Sequence, residues 1–123
     1  MIIGIGVDVV DLARFERAAS RTPALLTRLF ADSERTRGAD VLTLRSLAGR
    51  FAAKEALIKA IGDSTGVRWH DMRVTTDDLR NPSVELSGGV AALAAARGVD
   101  RVHLSMTHDA GIAIAYVIAE GGS

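Results

Sequence analysis

The stretch LAGRFAAKEALIKAIG, residues 47–62, decides how the rest of the chain is read. Its apolar residues recur at three- and four-residue intervals, and the spacing predicts a long helix from about Leu42 to Ile61. Leu44, Leu47, Ala48, Phe51 and Ile58 make the apolar stripe, and Gly62 suits the C-terminal cap. Glu55 falls four residues after Phe51 and three before Ile58, at the edge of that stripe. A carboxylate there costs free energy unless a cation or hydrogen bonds compensate it. Lys59 lies one turn further on, and the plain alternative is an i, i+4 pair worth about 0.3 kcal/mol. Arg50 and Lys54 form a second basic i, i+4 pair on another side, either solvated or holding phosphate.

Upstream, Ile2 to Val10 alternates and reads as a strand, with Ile3, Ile5, Val7 and Val9 on one face and Gly4, Gly6 and Asp8 on the other. Two glycines on one face let another group approach closely. Asp11 caps a helix starting at Leu12, in which Leu12, Phe15 and Ala19 share one side and Arg14, Arg17 and Arg21 another; Pro23 ends it. Short helical pieces follow, from Leu25 to Phe30 and around Glu34, and Gly38 marks a loop.

Downstream, Asp63 to Gly66 reads as a loop, and Met72–Thr76 and Ser83–Leu86 as strands joined around Asn81-Pro82. Ser87 caps an Ala-rich helix from about Gly89 to Arg97, closed by Gly98. Val102–Thr107 and Ile112–Ala119 form an antiparallel hairpin about Asp109-Ala110-Gly111. The order of elements predicts one α+β domain over residues 1–123, an antiparallel sheet packed with one long helix and shorter ones.

Composition narrows the function. Fifteen Lys and Arg balance 15 Asp and Glu, so the bulk basic excess of a nucleic-acid binder is missing and no nucleic-acid partner is expected. With no cysteine, disulfides, thiolate catalysis and thiolate zinc sites are excluded. The acidic Asp8 and a short apolar run argue against a signal peptide, and no stretch reaches the length of a membrane span. With few aromatic residues for a large core, an oligomer interface would usefully supplement it.

Asp8 is either a strand-end residue serving the next helix or a metal ligand, the glycines beside it leaving room for an ion and its water. His103, Ser105 and Thr107 share a strand face, and His108 stands at the entry to the turn; no Ser-His-Asp arrangement is defensible among them. The glycines of IGIG match neither a dinucleotide-binding nor a P-loop pattern. Two carboxylates among several cations suit Mg²⁺, which takes one or two protein carboxylates and completes its shell with phosphate oxygens and water.

Three motifs in order, GIGVDVVDLARFER, LAGRFAAKEALIKAIG and HLSMTHDAGIAIAYVIAE, resemble those of the holo-acyl-carrier-protein synthases, small phosphopantetheinyl transferases, and the match runs from end to end. The resemblance implies that Asp8 and Glu55 bind Mg²⁺, which bridges the pyrophosphate of coenzyme A, with Lys59 near that pyrophosphate. It assigns Arg50, Ser105 and His108 to the nucleotide and its phosphates, and Arg14, Arg17 and Arg21 to the docking of an acidic acyl carrier protein. It implies a cytoplasmic homotrimer with sites at subunit boundaries, serving fatty acid or polyketide synthesis. It also implies transfer of 4′-phosphopantetheine to a carrier serine with adenosine 3′,5′-bisphosphate leaving; in the mechanism expected here Glu55, directly or through a metal-bound water, takes the serine proton. Two rivals stand beside it: a coenzyme A sensor without turnover, and a structural trimer whose charges are solvated. Retention of Asp8, Glu55 and Lys59 together argues against the first, and Glu55 at the apolar edge with Asp8 on a glycine-lined strand face fits the second poorly.

Overall fold

The computed structural model describes residues 1–122. The alternating N-terminal run forms β1 (Ile2–Asp11), followed by α1 (Leu12–Arg21) and α2 (Ala24–Leu29). A short hairpin, β2 (Thr36–Arg37) and β3 (Asp40–Val41), leads into the long helix α3 (Leu44–Ile61). Next come β4 (Met72–Thr76), β5 (Pro82–Leu86), α4 (Gly88–Ala96), β6 (Arg101–Asp109) and β7 (Ile112–Glu120). Single 3₁₀ turns at Asp32–Glu34 and Trp69–Asp71 flank the central helix.

The main sheet has the order β1-β7-β6 and is antiparallel throughout, while β2-β3 and β4-β5 are separate two-stranded ribbons. β7 is central, so Tyr116 faces both Val7 and Ser105 across the ladders. The β6–β7 hairpin closes through Ala110 and Gly111 at φ 51° and 80°, the double left-handed turn that matches strand twist.

Helix α3 lies on one face of this sheet, against β1 and β7. Small residues permit the contact: Ala113, Ala115 and Ala119 beneath it are buried, as are Ala52, Ala56 and Ala60 on the helix. A Cβ on Gly4 or Gly6 would sit inside the carbonyl oxygen of Ala60 or Ala56 respectively. The room beside these glycines is therefore filled by helix backbone and not, as the sequence reading had it, by an ion with its water. The opposite sheet face leaves Ile5, Val7, Val9 and Tyr116 exposed.

Several expectations shift. α3 begins two residues later than expected, because Thr43 caps it by accepting from the Ser46 N–H at 3.1 Å. Its most buried side chains are the alanines with Leu57 and Ile61, whereas Phe51 and Ile58 are half-buried. The β2–β3 hairpin replaces the expected loop around Gly38. Asp11 caps α1 as expected, at 2.9 Å from the Arg14 N–H. Ser87 makes no side-chain cap on α4; Asp71 does so from outside the helix, accepting from the Gly89 N–H at 3.1 Å.

Candidate functional site

A cleft of about 800 Å³ opens where the end of β1 meets α1 and the middle of α3. Asp8 and Glu55 both line it. They meet there because Gly6, two residues before Asp8 on the same strand face, lets the backbone of α3 come down onto β1 next to Glu55. Lys59, one turn beyond Glu55, donates from Nζ to Asp8 Oδ1 at 2.9 Å and to the Val7 carbonyl at 3.1 Å. Burial, and then the neighbouring Asp8 charge, push the Glu55 carboxyl above the usual range, with Lys59 opposing them. The Lys59 ammonium is held above its ordinary range, chiefly by its hydrogen bond to Asp8.

The far wall of the cleft is aromatic. Phe51 packs between Phe15 and Trp69, at centroid distances of 5.8 and 5.6 Å. Arg14 and Arg28 supply positive charge at this cleft. Arg17 and Arg21 are exposed on α1 outside it. Arg28 was invisible to sequence reading, since only the fold of α2 brings it beside Arg14.

A second, smaller pocket of about 180 Å³ shares no lining residue with the first. Arg37, Arg45, Arg50 and His108 line it, with Thr76 and Thr107. Arg50 and Glu55 are five residues apart on α3 and so leave the helix about 140° from one another. One chain therefore brings Asp8, Glu55 and Lys59 together at one place and Arg50 and His108 together at another. Ser105 belongs to neither group; it is exposed on the outer sheet face beside Tyr116. Arg37 and Arg45 were not singled out in the sequence, because the β2–β3 hairpin that carries Arg37 has almost no pattern.

The Arg50–Lys54 pair departs from both sequence readings in part. Lys54 is wholly buried, neither solvated nor lining either pocket, and its Nζ donates to Glu34 Oε1 at 2.9 Å. Arg50 is 6 % exposed and donates to the Val74 carbonyl from beneath the basic pocket.

The carboxylate site suits a hard divalent cation. Among the described residues no three His, Cys, Asp or Glu side chains gather into a metal cluster, so an all-protein cage is absent. Two carboxylates facing open space, with burial and mutual repulsion that a cation would relieve, fit an ion that takes its remaining ligands from phosphate and water.

Comparison with known proteins gives the lineage. A model of the 4′-phosphopantetheinyl transferase superfamily matches residues 4–117. The holo-[acyl-carrier-protein] synthase of Clavibacter michiganensis subsp. michiganensis is 60% identical over 121 residues, 98% of each chain. The crystal structure of holo-[acyl-carrier-protein] synthase from Neisseria meningitidis superimposes with a TM-score of 0.85 at 32% identity, covering 98% of this chain and 99% of that one. The Helicobacter pylori holo-[acyl-carrier-protein] synthase in complex with coenzyme A gives a TM-score of 0.81 at 30% identity, over 94% of this chain and 99% of its own. With its α+β architecture and its match running nearly from end to end, this chain belongs to the 4′-phosphopantetheinyl transferase superfamily, among the holo-[acyl-carrier-protein] synthases.

Proposed function

We propose that this chain transfers 4′-phosphopantetheine from coenzyme A to a serine of an apo-acyl carrier protein, releasing adenosine 3′,5′-bisphosphate. The observation that carries the reading is that Asp8 and Glu55 line one cleft with Lys59 bonded to Asp8, in a chain of this family. Asp8 and Glu55 would hold Mg²⁺. When bound, the metal would supply positive charge that offsets the charge growing on the departing phosphate.

The residues themselves have simple tasks. The serine hydroxyl attacks the phosphorus next to pantetheine; a new O–P bond forms as the bond to the second phosphate breaks. Glu55 takes the serine proton. Lys59, tethered to Asp8 with its side chain half in solvent, stabilises the phosphate that leaves. Such transfers depend on positioning and charge stabilisation, which this small set of groups supplies. Arg50 and His108, with Ser105 nearby on the same strand as His108, serve the nucleotide and its phosphates; the basic lining of the second pocket supports that role.

The basic pocket and the carboxylate cleft are lined by different residues of one chain, which supports a complete site that takes its halves from neighbouring copies. The exposed apolar sheet face, with Val7 and Tyr116 about 45% accessible, supports a homotrimer closed through that face. Arg14, Arg17 and Arg21, reinforced by Arg28, would dock the acidic carrier, which serves fatty acid or polyketide synthesis. No helix of the described residues is long and apolar enough to cross a membrane, and we place the reaction in the cytoplasm.

The test is to incubate the protein with apo-acyl carrier protein, coenzyme A and Mg²⁺ and weigh the carrier by intact mass spectrometry. A phosphopantetheine mass gain, lost with EDTA, Asp8→Ala or Glu55→Ala, is the expected outcome. Measurable coenzyme A binding with no mass gain on several folded carriers would favour the sensor reading instead.

A further inference from the structure

Three charged side chains are buried among the described residues: Glu34 at 1 %, Lys54 at 0 % and Arg50 at 6 % exposure. They form one connected network. Glu34 Oε1 accepts from Lys54 Nζ at 2.9 Å and from the Ala31 N–H at 3.1 Å. Glu34 Oε2 accepts from the Val74 N–H at 3.1 Å, and the carbonyl of the same Val74 accepts from Arg50 Nη1. Lys54 Nζ also donates to the carbonyls of Leu29 at 2.7 Å and Trp69 at 3.0 Å. The network thus runs from the wall of the carboxylate cleft, where Leu29 and Trp69 lie, to the basic pocket, where Arg50 lies.

Stability alone does not explain such a device. A buried ion pair can often be exchanged for apolar side chains at no net cost. What an apolar pair cannot do is accept from Val74 N–H. That bond fixes the β4 backbone, and the carbonyl of the same residue orients Arg50. The cluster also holds two cations and one carboxylate, so the guanidinium side keeps a positive charge that Glu34 does not cancel.

We propose that Glu34, which touches neither pocket, is a positioning residue for phosphate binding: through Val74 it presets the direction in which Arg50 meets an anion in the basic pocket. This rests on the reading of that pocket as the one that takes the nucleotide phosphates. Preorganised donors lose little freedom on binding, so misplacing Arg50 should show in ligand affinity and not in the chemical step.

Two double variants separate positioning from charge balance. Both remove the buried ion pair: Glu34→Leu/Lys54→Met also removes the acceptor for Val74 N–H, while Glu34→Gln/Lys54→Met retains a carbonyl oxygen for it. Binding of adenosine 3′,5′-bisphosphate is measured by calorimetry, alongside melting temperature and the KM for coenzyme A. The apolar pair should bind about tenfold more weakly, with KM raised in parallel and kcat at saturation within about twofold of the parent. The Gln-containing pair should bind within about threefold of the parent. Equal affinities in the two variants would overturn the proposal. Should the apolar pair not fold, the other carries the test alone, and a tenfold loss there overturns it. A parent protein that binds neither adenosine 3′,5′-bisphosphate nor coenzyme A would instead overturn the transferase reading on which this inference rests.

Discussion

Lys59 Nζ sits 2.9 Å from Asp8 Oδ1 and also bonds the Val7 carbonyl, so the cation one turn along α3 is already paired with the strand carboxylate. The pair is open to solvent on the lysine side, and such pairs add little to stability. Lys59→Met should therefore leave the melting temperature nearly unchanged while transfer falls by about 10²-fold, the usual loss for a charge-stabilising donor. It should also tighten Mn²⁺ binding to the ligand-free protein, read by electron paramagnetic resonance, because a competing cation has left Asp8. Unchanged transfer activity would remove Lys59 from the chemistry.

Gly6 has a different kind of leverage. Its missing side chain is what lets the Ala56 carbonyl lie against β1, and that contact brings Glu55 towards Asp8. Gly6→Ala forces strand and helix apart in a packed core. Urea denaturation should show a loss of about 2–3 kcal/mol. Activity should fall by more than the unfolded fraction accounts for, since the carboxylates separate. A variant of parental stability would show that the helix can slide to accommodate a methyl group.

Much of this arrangement was legible in the sequence, and the exceptions share a cause. Alternation exposed β1, β6 and β7, and the Gly4/Gly6 face correctly announced a close approach. It did not say what approaches: backbone carbonyls of α3 fill the space that looked suited to an ion. Leu47 and Ala48 of the expected stripe are buried, but alanine carries too weak a hydrophobic signal to mark Ala52, Ala56 and Ala60, and the larger Phe51 and Ile58 are only half-buried. Arg50 and Lys54 look alike in sequence, yet only tertiary packing against Glu34 and Val74 separates a pocket arginine from a wholly internal lysine. Glu34 lies in a three-residue 3₁₀ turn, too short to carry any periodic pattern.

Glu55 should be costly to the protein when no cation is bound beside it. Burial and then Asp8 raise its folded-state pKa above the unfolded value. The folded state then binds more protons across that window, so stability falls as pH rises through it. In EDTA, Glu55→Gln should melt above the parent at pH 7, the gap closing below about pH 4 where the carboxyl is protonated in both states. The same variant should lose transfer activity by at least about 10³-fold. A lower melting point at pH 7 would mean that Lys59 outweighs burial and repulsion at this site.

Arg14 and Arg28 both line the carboxylate cleft, where their charge could meet an acidic carrier. Arg14→Glu should raise the KM for an acidic carrier about tenfold and leave the KM for coenzyme A within about twofold. Added salt should weaken the parent's carrier binding and narrow the difference. Equal effects on both KM values would place Arg14 at the nucleotide instead.

The division of functional groups between two pockets makes a sharper demand. Asp8 and His108 lie in linings with no common residue; a site built between copies would take its carboxylates from one chain and its imidazole from the next. Asp8→Ala and His108→Ala should each be impaired when alone. Mixed one to one, unfolded and refolded together, they should form hybrid trimers. A site is whole when its carboxylate half comes from the His108→Ala chain and its basic half from the Asp8→Ala chain. Random assembly gives each condition half the time, so about a quarter of sites should recover. Transfer activity near that fraction of the parent would establish the shared site. If each variant is impaired alone but the mixture merely averages the two, both halves must act within a single chain, and the shared-site reading falls.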